Sequence, residues 1–351
     1  MNKVFRLTVL SALCIFSSFL ESGSSFAQDI HFSQFYVSQL ITNPATAGAL
    51  KEITATLNYR DQWRSVTSPY KTFAGSYDMR IFKDRWRNVF LGWGLDVYND
   101  AAGDGNMRTT QADLSFASHV RVSDHQIISA GVMGGFGQRS INYSALTWGA
   151  QYDGTILNSS LPSGEPGSSA SFVYPDFGAG VLYQFSRDEG YTSANDKLQA
   201  NVGFSVSHIN QPKVSFYSRN SDILYMKYAL HGNMFIGIRN SPLSIVPGFV
   251  FYLQGPSQEK TGGTMIRYAF KEESKYTSNV NGIALSVGAY YRWSDAIIVS
   301  SLLEIANYAV GVSYDVNVSQ LRSSTKGFGG AEISLRFIRP SNFRFKNRAR
   351  F

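Results

Sequence analysis

The chain has 351 residues and is rich in glycine, tyrosine and phenylalanine (31, 20 and 25 residues), whereas only 16% of its residues are charged. Its formal net charge is +7, and its single cysteine is Cys14. If the N-terminal stretch containing Cys14 is removed on export, the mature chain can form no disulfide, catalytic thiol or cysteine-based metal site.

Residues 1–27 have the features of a secretory signal peptide. Two basic residues precede an apolar stretch at 7–20, and the small-x-small sequence at 25–27 marks a cleavage site. An uncleaved membrane anchor is the alternative, but the apolar stretch is short for a membrane span and Glu21 ends it. We therefore expect export through a cleaved signal peptide.

Residues 28–50 differ from the rest of the chain because aromatic and polar residues are mixed without a regular period. Pro44 disfavours a helical conformation at Asn43. The segment is too polar to face lipid. We predict that it lies in the periplasmic mouth or the lumen of a barrel, as a plug.

From residue 52 onward, apolar residues alternate with small or polar ones in segment after segment. At 308–317, for example, Tyr, Val, Val, Tyr and Val alternate with Ala, Gly, Ser, Asp and Asn. Successive side chains of a strand point to opposite faces, so each segment has one apolar face and one small or polar face. Segments of about ten residues can cross a bilayer as tilted strands, and many of them in one chain are typical of an outer-membrane β-barrel.

We therefore predict an all-β fold, a single transmembrane antiparallel β-barrel over 51–338. About fourteen strands are expected, at roughly 52–60, 70–83, 88–99, 107–122, 125–139, 173–187, 197–210, 223–239, 243–254, 262–271, 281–293, 295–304, 307–317 and 327–338. An even number of strands places both chain ends in the periplasm. The predicted outer loops are then 140–171, 210–222, 254–262 and 317–327, and the connections at 188–196 and 272–280 are long for periplasmic turns.

The alternation also predicts which side chains face the lumen. The charged positions on the inner face are Asp96, Asp113, Asp176, Arg292, Asp315, Glu332 and Arg336. Both signs are present, so paired charges and hydrogen bonds could fill the interior. Nine glycines share that face: Gly92, Gly94, Gly131, Gly135, Gly178, Gly180, Gly203, Gly288 and Gly311. They either leave space for a plug or ligand or allow strand curvature.

The C-terminal tail, 339–351, is basic. It could contact anionic lipid headgroups or an acidic periplasmic partner, or it could simply be solvated. Nucleic acid is not an expected partner, because an exported barrel meets none.

The sequence offers little support for catalysis, a cofactor or a metal site. The five histidines form no metal-ligand spacing. Ser205, Ser207 and His208 could suggest a Ser-His hydrolase, but strand alternation directs Ser207 and His208 to opposite faces. A nucleophile and its base must lie within hydrogen-bond reach. We therefore predict no catalytic residues, no cofactor and no metal.

Several short motifs resemble the PorP/SprF family of Bacteroidota membrane proteins. Those near the start are Phe32-Ser33-Gln34-Phe35-Tyr36, Asn43-Pro44-Ala45-x-Ala47-Gly48 and Tyr59-Arg60-Asp61-Gln62-Trp63. Later ones are His208-Ile209-Asn210-Gln211-Pro212, Tyr291-Arg292-x-x-Asp295, Gly311-x-Ser313-Tyr314-Asp315 and Gly330-x-Glu332-Ile333-Ser334-Leu335. Thr46 departs from the family pattern, which often has an aromatic residue there.

The resemblance implies an outer-membrane barrel of the type IX secretion and gliding machinery. Such a barrel would support export or surface attachment of large secreted proteins with a C-terminal sorting domain, and could associate with periplasmic components of the machinery. The residues expected to bind partners are Phe32, Gln34, Tyr36, Asn43, Pro44, Arg60, Trp63, Asn210 and Pro212. A diffusion channel or hydrophobic-substrate transporter is the first alternative, and an outer-membrane enzyme is the second.

Overall fold

The computed structural model describes residues 29–64, 68–82, 88–164, 170–187, 197–216, 222–271, 282–319 and 322–339. Fourteen antiparallel strands form one closed barrel, in which each strand pairs with its neighbours in the chain. The first seven are β1 (Ile53–Gln62), β2 (Tyr70–Ile81), β3 (Val89–Ala102), β4 (Met107–Ser123), β5 (Gln126–Ile141), β6 (Ala170–Arg187) and β7 (Leu198–Ser207). The remaining seven are β8 (Lys227–Gly237), β9 (Leu243–Gln254), β10 (Ser257–Lys271), β11 (Ile283–Arg292), β12 (Ala296–Ile305), β13 (Tyr308–Asn317) and β14 (Phe328–Arg339).

Pairing of the first and last strands closes the barrel, with Ile53 opposite Arg339 and Gln62 opposite Gly330. The helical elements are short: α1 (Gln39–Thr42), α2 (Arg322–Thr325) and three 3₁₀ turns at Pro44–Thr46, Tyr143–Ala145 and Gly149–Gln151. Within the described ranges, no helix has the length and apolar character needed to cross a membrane. The prediction of an all-β barrel of about fourteen strands is confirmed.

The two-residue alternation of the sequence becomes the two faces of the barrel wall. Along β13, exposed and buried residues alternate without interruption. Val310, Val312 and Tyr314 point outward, whereas Ser313 and Asp315 are buried inside. Because strand side chains alternate in direction, this pattern gives an apolar outer surface suited to hydrocarbon and a polar interior.

The two longest connections, 142–169 and 208–226, lie at the end of the barrel opposite to the start of β1 and the end of β14. Outer-membrane barrels have longer loops outside and shorter turns in the periplasm. We therefore assign the end with these two connections to the cell exterior and call it the outer end. The predicted signal peptide (1–27), nearly all of the basic tail (340–351) and the connections 188–196 and 272–280 lie outside the described residues.

One predicted outer loop is wrong. We expected a loop at 254–262, but β10 already begins at Ser257, which lies opposite Gln254 in a two-residue hairpin. Gly255 in the turn has φ +55°, a left-handed conformation that glycine adopts without steric cost. The strand ladder extends past the apolar stretch because its hydrogen bonds join main-chain groups and do not require apolar side chains.

Residues 29–50 lie inside the barrel and run along its axis. At the outer end, the main-chain N–H of Asp29 donates to Gln254 Oε1 at the end of β9. At the periplasmic end, Arg80 near the end of β2 donates to the carbonyl oxygen of Gly48. The predicted plug-like segment is therefore luminal, and its first described residues lie at the outer end of the barrel.

Candidate functional site

The candidate site is the luminal segment, 29–50, together with the wall residues that hold it. Its apolar anchor is the pair Phe35 and Tyr36, which are both buried against β11 and β12. The Phe35 ring contacts Tyr290 edge-on at a centroid distance of 5.4 Å, and Tyr36 stacks on Tyr290 at 5.6 Å. Such ring pairs add about 0.5–1.5 kcal/mol to the burial of their area.

A buried ion cluster lies on β1, β11, β13 and β14, nearer the outer end. Arg60 of β1 and Arg292 of β11 share one carboxylate oxygen, Asp315 Oδ2, at 2.9 and 3.1 Å. All three side chains are almost fully buried. Arg292 also pairs with Asp295 at 3.1 Å. Each guanidinium group therefore has carboxylate partners, which a buried charge requires.

The luminal segment inserts into this cluster through Ser33 and Gln34. Glu332 accepts the main-chain N–H of Ser33 at 2.7 Å and that of Gln34 at 3.2 Å. The Ser33 hydroxyl donates to Asp315 at 2.8 Å and accepts from Arg292 Nη2 at 2.8 Å. The ion cluster and the segment therefore form one hydrogen-bonded unit.

A second polar cluster holds the first described residue of the segment. His208 bonds Asp29 Oδ2 through Nε2 at 2.6 Å and Asp176 Oδ1 through Nδ1 at 2.9 Å. Gln111 then donates to Asp176 at 2.7 Å and to Asp113 at 2.8 Å. We call the Asp29–His208–Asp176 arrangement the histidine clasp.

The predicted outward direction of His208 is wrong. We expected β7 to continue to residue 210, which would direct His208 away from the lumen. The strand ends at Ser207, and His208 has φ 58°, so its ring turns inward and is buried. The turn-forming sequence Asn210-Gln211-Pro212 is the signal that could have placed the strand end earlier.

Electrostatics favour a charged pair in the clasp. Burial lowers the pKa of His208, but the charge of Asp29 and the hydrogen bonds that the ring donates to both carboxylates outweigh it and raise that pKa to about 10. For Asp29, burial raises the pKa, but the charge and hydrogen bond of His208 outweigh it and hold the pKa well below its ordinary value of 3.8. The imidazolium and the carboxylate therefore coexist at neutral pH.

This predicts an alkaline release of the outer end of the segment. The His208 contribution is fully present below its unfolded pKa of 6.5 and is lost as pH rises through about 10. The Asp29 contribution is present above about pH 4 and is lost only in stronger acid. An environment-sensitive dye on Ile30→Cys should report a buried segment at pH 8 and an exposed one above about pH 10.

The matched control for the alkaline release is the same labelled protein carrying His208→Gln, which keeps a polar amide but cannot be charged. Its dye signal should show no alkaline step at that pH. An alkaline step of equal size in the His208→Gln variant would show that another group controls the release.

His31 lies beside the clasp and contacts Glu259 at 3.3 Å through Nδ1. Burial, followed by the charges of Arg60, Arg292 and Lys227, lowers its pKa well below the ordinary value. We therefore assign this contact to a neutral imidazole that donates a hydrogen bond, and not to an ion pair.

The inward glycines described here fall into two groups. A Cβ on Gly131 would lie 2.6 Å from the main-chain nitrogen of Ala45, and one on Gly92 would overlap the carbonyl oxygen of Ala47. At Gly135 and Gly288, a Cβ would instead meet main-chain atoms of the neighbouring strands. The first pair admits the luminal segment, whereas the second pair allows close packing within the wall.

The predicted partner-binding residues separate into two groups. Six are buried in the lumen and contact the chain itself: Phe32, Gln34, Tyr36, Asn43, Pro44 and Arg60. Trp63, Asn210 and Pro212 lie at the outer end, where Trp63 packs edge-on against Tyr70 at 4.9 Å and Asn210 donates to the Pro175 carbonyl. Partner contact by these residues stays a prediction.

Among the predicted luminal charges, Asp113, Asp176, Arg292, Asp315 and Glu332 belong to the two clusters described above. Asp96 is buried opposite Asp113 in the β3–β4 pair, and Arg336 is half-buried. Sequence reasoning did not select Asp29, Ser33, Gln111 or His208 for the site. Asp29, Ser33 and His208 lie outside the strands, where alternation carries no signal, and Gln111 of β4 is uncharged and so was not among the charged positions selected.

Two buried histidines, His208 and His119, lie close to serine residues. Both ring nitrogens of His208 are engaged by carboxylates, so the ring is not available to Ser207. His119 donates through Nε2 to the Ala47 carbonyl of the luminal segment, which leaves Nδ1 to accept from Ser129 Oγ at 2.7 Å, but both side chains are completely buried. Within the described residues, no group of three or more His, Cys, Asp or Glu side chains could hold a metal ion.

The connection after β5 presents an apolar tip at the outer end. Tyr152 and Leu157 form an isolated β-bridge, and the Asp153 side chain caps the turn by accepting the N–H groups of Thr155 and Ile156. The side chains of Tyr152, Ile156 and Leu157 are 56%, 63% and 50% exposed. An ordered tip with three exposed apolar side chains suits contact with another protein.

Comparison with known proteins gives one family. A sequence model described as type IX secretion system membrane protein PorP/SprF matches residues 24–337. No curated protein matches the chain.

Solved structures similar to this chain include three β-barrel proteins. The CymD monoaromatic hydrocarbon channel has 10% identity and a TM-score of 0.44, with 91% of this chain and 96% of that chain covered. The translocator domain of the autotransporter NalP from Neisseria meningitidis has 8% identity and a TM-score of 0.38, with 95% of each chain covered. The TodX monoaromatic hydrocarbon channel deltaS2 mutant has 10% identity and a TM-score of 0.42, with 85% and 92% covered.

Proposed function

This chain belongs to the type IX secretion system membrane protein family PorP/SprF and is an outer-membrane β-barrel, and from that premise we propose that it works by protein–protein interaction. Its role is to support the export or surface attachment of large secreted proteins with a C-terminal sorting domain. Association with periplasmic components of the machinery is part of the proposal, as is export through a cleaved signal peptide. The observation that carries the proposal is the family match over nearly the whole chain.

The filled lumen favours interaction over transport. A diffusion channel or hydrophobic-substrate transporter needs a path through the barrel. Gln34 and Asn43 of the luminal segment are completely buried. The main chain at Ala45 and Ala47 lies in contact with the glycines of the wall. Steady conductance of the purified protein in planar bilayers would favour the transport alternative.

The proposal assigns no catalytic role to the chain. The histidine clasp uses its imidazole to hold the luminal segment, and the carboxylates of Asp176, Asp315 and Glu332 are engaged with glutamine, arginine or main-chain groups. These contacts support a structural use of the titratable side chains. The available surfaces for a partner are then the outer loops and the periplasmic end.

We expect the apolar tip of the 142–169 connection to contact the secreted partner. Replacing Tyr152, Ile156 and Leu157 together by serine should reduce surface display of the cargo at least tenfold, because buried aromatic and aliphatic anchors dominate interface energy. The measurement is whole-cell labelling of surface protein in the native bacterium, with a gene deletion strain as the baseline. Barrel folding is checked by the electrophoretic shift of unheated samples.

The control is Thr155→Ala with Ser159→Ala, which changes two exposed polar residues of the same connection. This variant should display cargo normally. If the deletion strain secretes and displays all cargo as the wild type does, the proposed function is wrong. If only the serine variant behaves as the wild type, the contact lies on another surface.

A further inference from the structure

Besides the side-chain contacts described above, the barrel wall binds the main chain of the luminal segment along its length. At the outer end, Gln254 accepts the N–H of Asp29 at 3.0 Å, and Lys227 Nζ donates to the carbonyl of Ile30 at 3.2 Å. Arg60 donates to the carbonyl of His31 at 2.6 Å. In each case a wall side chain meets a main-chain atom of the segment.

Wall side chains also bind main-chain atoms further along the segment. Glu332 accepts two successive main-chain N–H groups, those of Ser33 and Gln34. Further down, the Ser205 hydroxyl donates to the carbonyl of Thr42 at 2.6 Å.

At the periplasmic end, His119 donates to the carbonyl of Ala47 at 2.9 Å. Asp78 accepts the N–H of Gly48 at 2.9 Å, while Arg80 donates to the carbonyls of Gly48 and Ala49 at 3.0 and 2.9 Å. Wall side chains therefore bind the main chain from one end of the segment to the other.

Main-chain groups are common to all polypeptides, so these hydrogen bonds do not depend on the side chains of residues 29–50. The same principle underlies peptide recognition by main-chain hydrogen bonds, in which pockets for a few side chains add selectivity. We propose that the lumen is a binding site for polypeptide main chain, that residues 29–50 occupy it in cis, and that a second polypeptide of matching pattern can take their place.

The wall also defines the pattern that such a polypeptide must have. Gly92 and Gly131 lack the Cβ that would collide with the segment. The main chain of the segment at Ala47 and Ala45 therefore lies in contact with the wall at these glycines. Ala45 and Ala47 are themselves completely buried, Ala47 against Leu40 and Ala117, so a larger side chain at either position would overpack the lumen. The pocket around Tyr290 takes an aromatic pair. The ligand class is thus an unfolded polypeptide with two adjacent aromatic residues, followed about ten residues later by Ala-x-Ala-Gly.

The test uses the full chain with Ala47→Trp, which should weaken binding of the cis segment because the indole has no space against Leu40 and Ala117. A fluorescent synthetic peptide of sequence 29–50 is added to this variant and to the wild type in detergent micelles, and binding is followed by fluorescence anisotropy. We expect saturable binding to the variant, at least tenfold tighter than to the wild type, whose site is occupied. Val299→Trp, which places the same indole on the exposed outer face of β12, should behave as the wild type does.

Two competitor peptides test the pattern. Unlabelled 29–50 peptide should displace the probe, whereas a scrambled peptide and a peptide carrying Ala47→Trp should not. If the probe does not bind the folded variant, or if the scrambled peptide competes equally, the proposal is overturned.

A second protein covers the case in which Ala47→Trp does not fold. A protease site is inserted between Leu50 and Lys51, the full chain is folded, and the connection is then cut. The labelled peptide should exchange with the cut segment, and mass spectrometry should detect the released fragment. Absence of exchange, whether or not the fragment leaves, contradicts the proposal. Because the readout is peptide binding and not cargo display, its outcome is independent of the proposed secretion role.

Discussion

Replacing Asp315 by alanine should lower the free energy of unfolding by about 3–5 kcal/mol, the cost expected when one partner of a buried ion pair is removed. Arg60 and Arg292 both pair with this carboxylate, and the Ser33 hydroxyl donates to it. The substitution would leave two buried guanidinium groups with reduced compensation and would loosen the luminal segment at Ser33. Denaturant unfolding in lipid vesicles, followed by circular dichroism, measures the change.

The matched control for Asp315→Ala is Glu304→Gln. Glu304 pairs with Arg267 at 2.7 Å, but both side chains are partly exposed. Solvent screening reduces such pairs to about 0–1 kcal/mol. A loss for Asp315→Ala no larger than that for Glu304→Gln would contradict a dry ion cluster and would indicate that water reaches it.

Replacing Val312 by arginine should destabilise the barrel by about 2–4 kcal/mol, the range found for arginine at the lipid-facing midplane of such barrels. Val312 lies in the middle of β13, and its side chain is 50% exposed on the outer face. There the substituent would have to desolvate its charge or distort the bilayer. Unfolding in phosphatidylcholine vesicles measures the effect.

The control for Val312→Arg is Ile156→Arg, which places the same charge at an exposed apolar position outside the barrel wall. It should change the free energy of unfolding by less than about 0.5 kcal/mol, as is usual for surface substitutions. Equal effects at the two positions would show that the outer face of β13 does not meet hydrocarbon.

The strand alternation predicted the barrel because one local rule decides both secondary structure and orientation. A side chain at an even position in β13 faces the same way as the next even one, whatever the rest of the chain does. Strand ends were less predictable. At Ser257 and Ser207 the ladder starts or stops through main-chain hydrogen bonds and a left-handed residue, and the alternation of apolar residues does not report these features.

The clusters of the site were predicted only as a set of inward-facing charges. Which of them meet depends on strand tilt and on the path of residues 29–50. Ser33 and Asp315 are 282 residues apart in the chain and yet share a hydrogen bond. The histidine clasp joins Asp29 and His208, which are 179 residues apart. It requires a left-handed backbone conformation at His208, which the alternation of apolar residues does not indicate.

By itself the sequence determined the barrel, its approximate strand number and the polar character of its interior. These follow from a two-residue period that acts locally and from the cost of placing charge in hydrocarbon. Only the tertiary structure decided that residues 29–50 fill the lumen from its outer end, and that wall side chains bind their main chain as well as their side chains. The physical reason is that main-chain groups are the same at every position, so no pattern of residue types indicates their partners. Those partners depend on where the closed wall places particular side chains: Arg60, Glu332, His119 and Arg80.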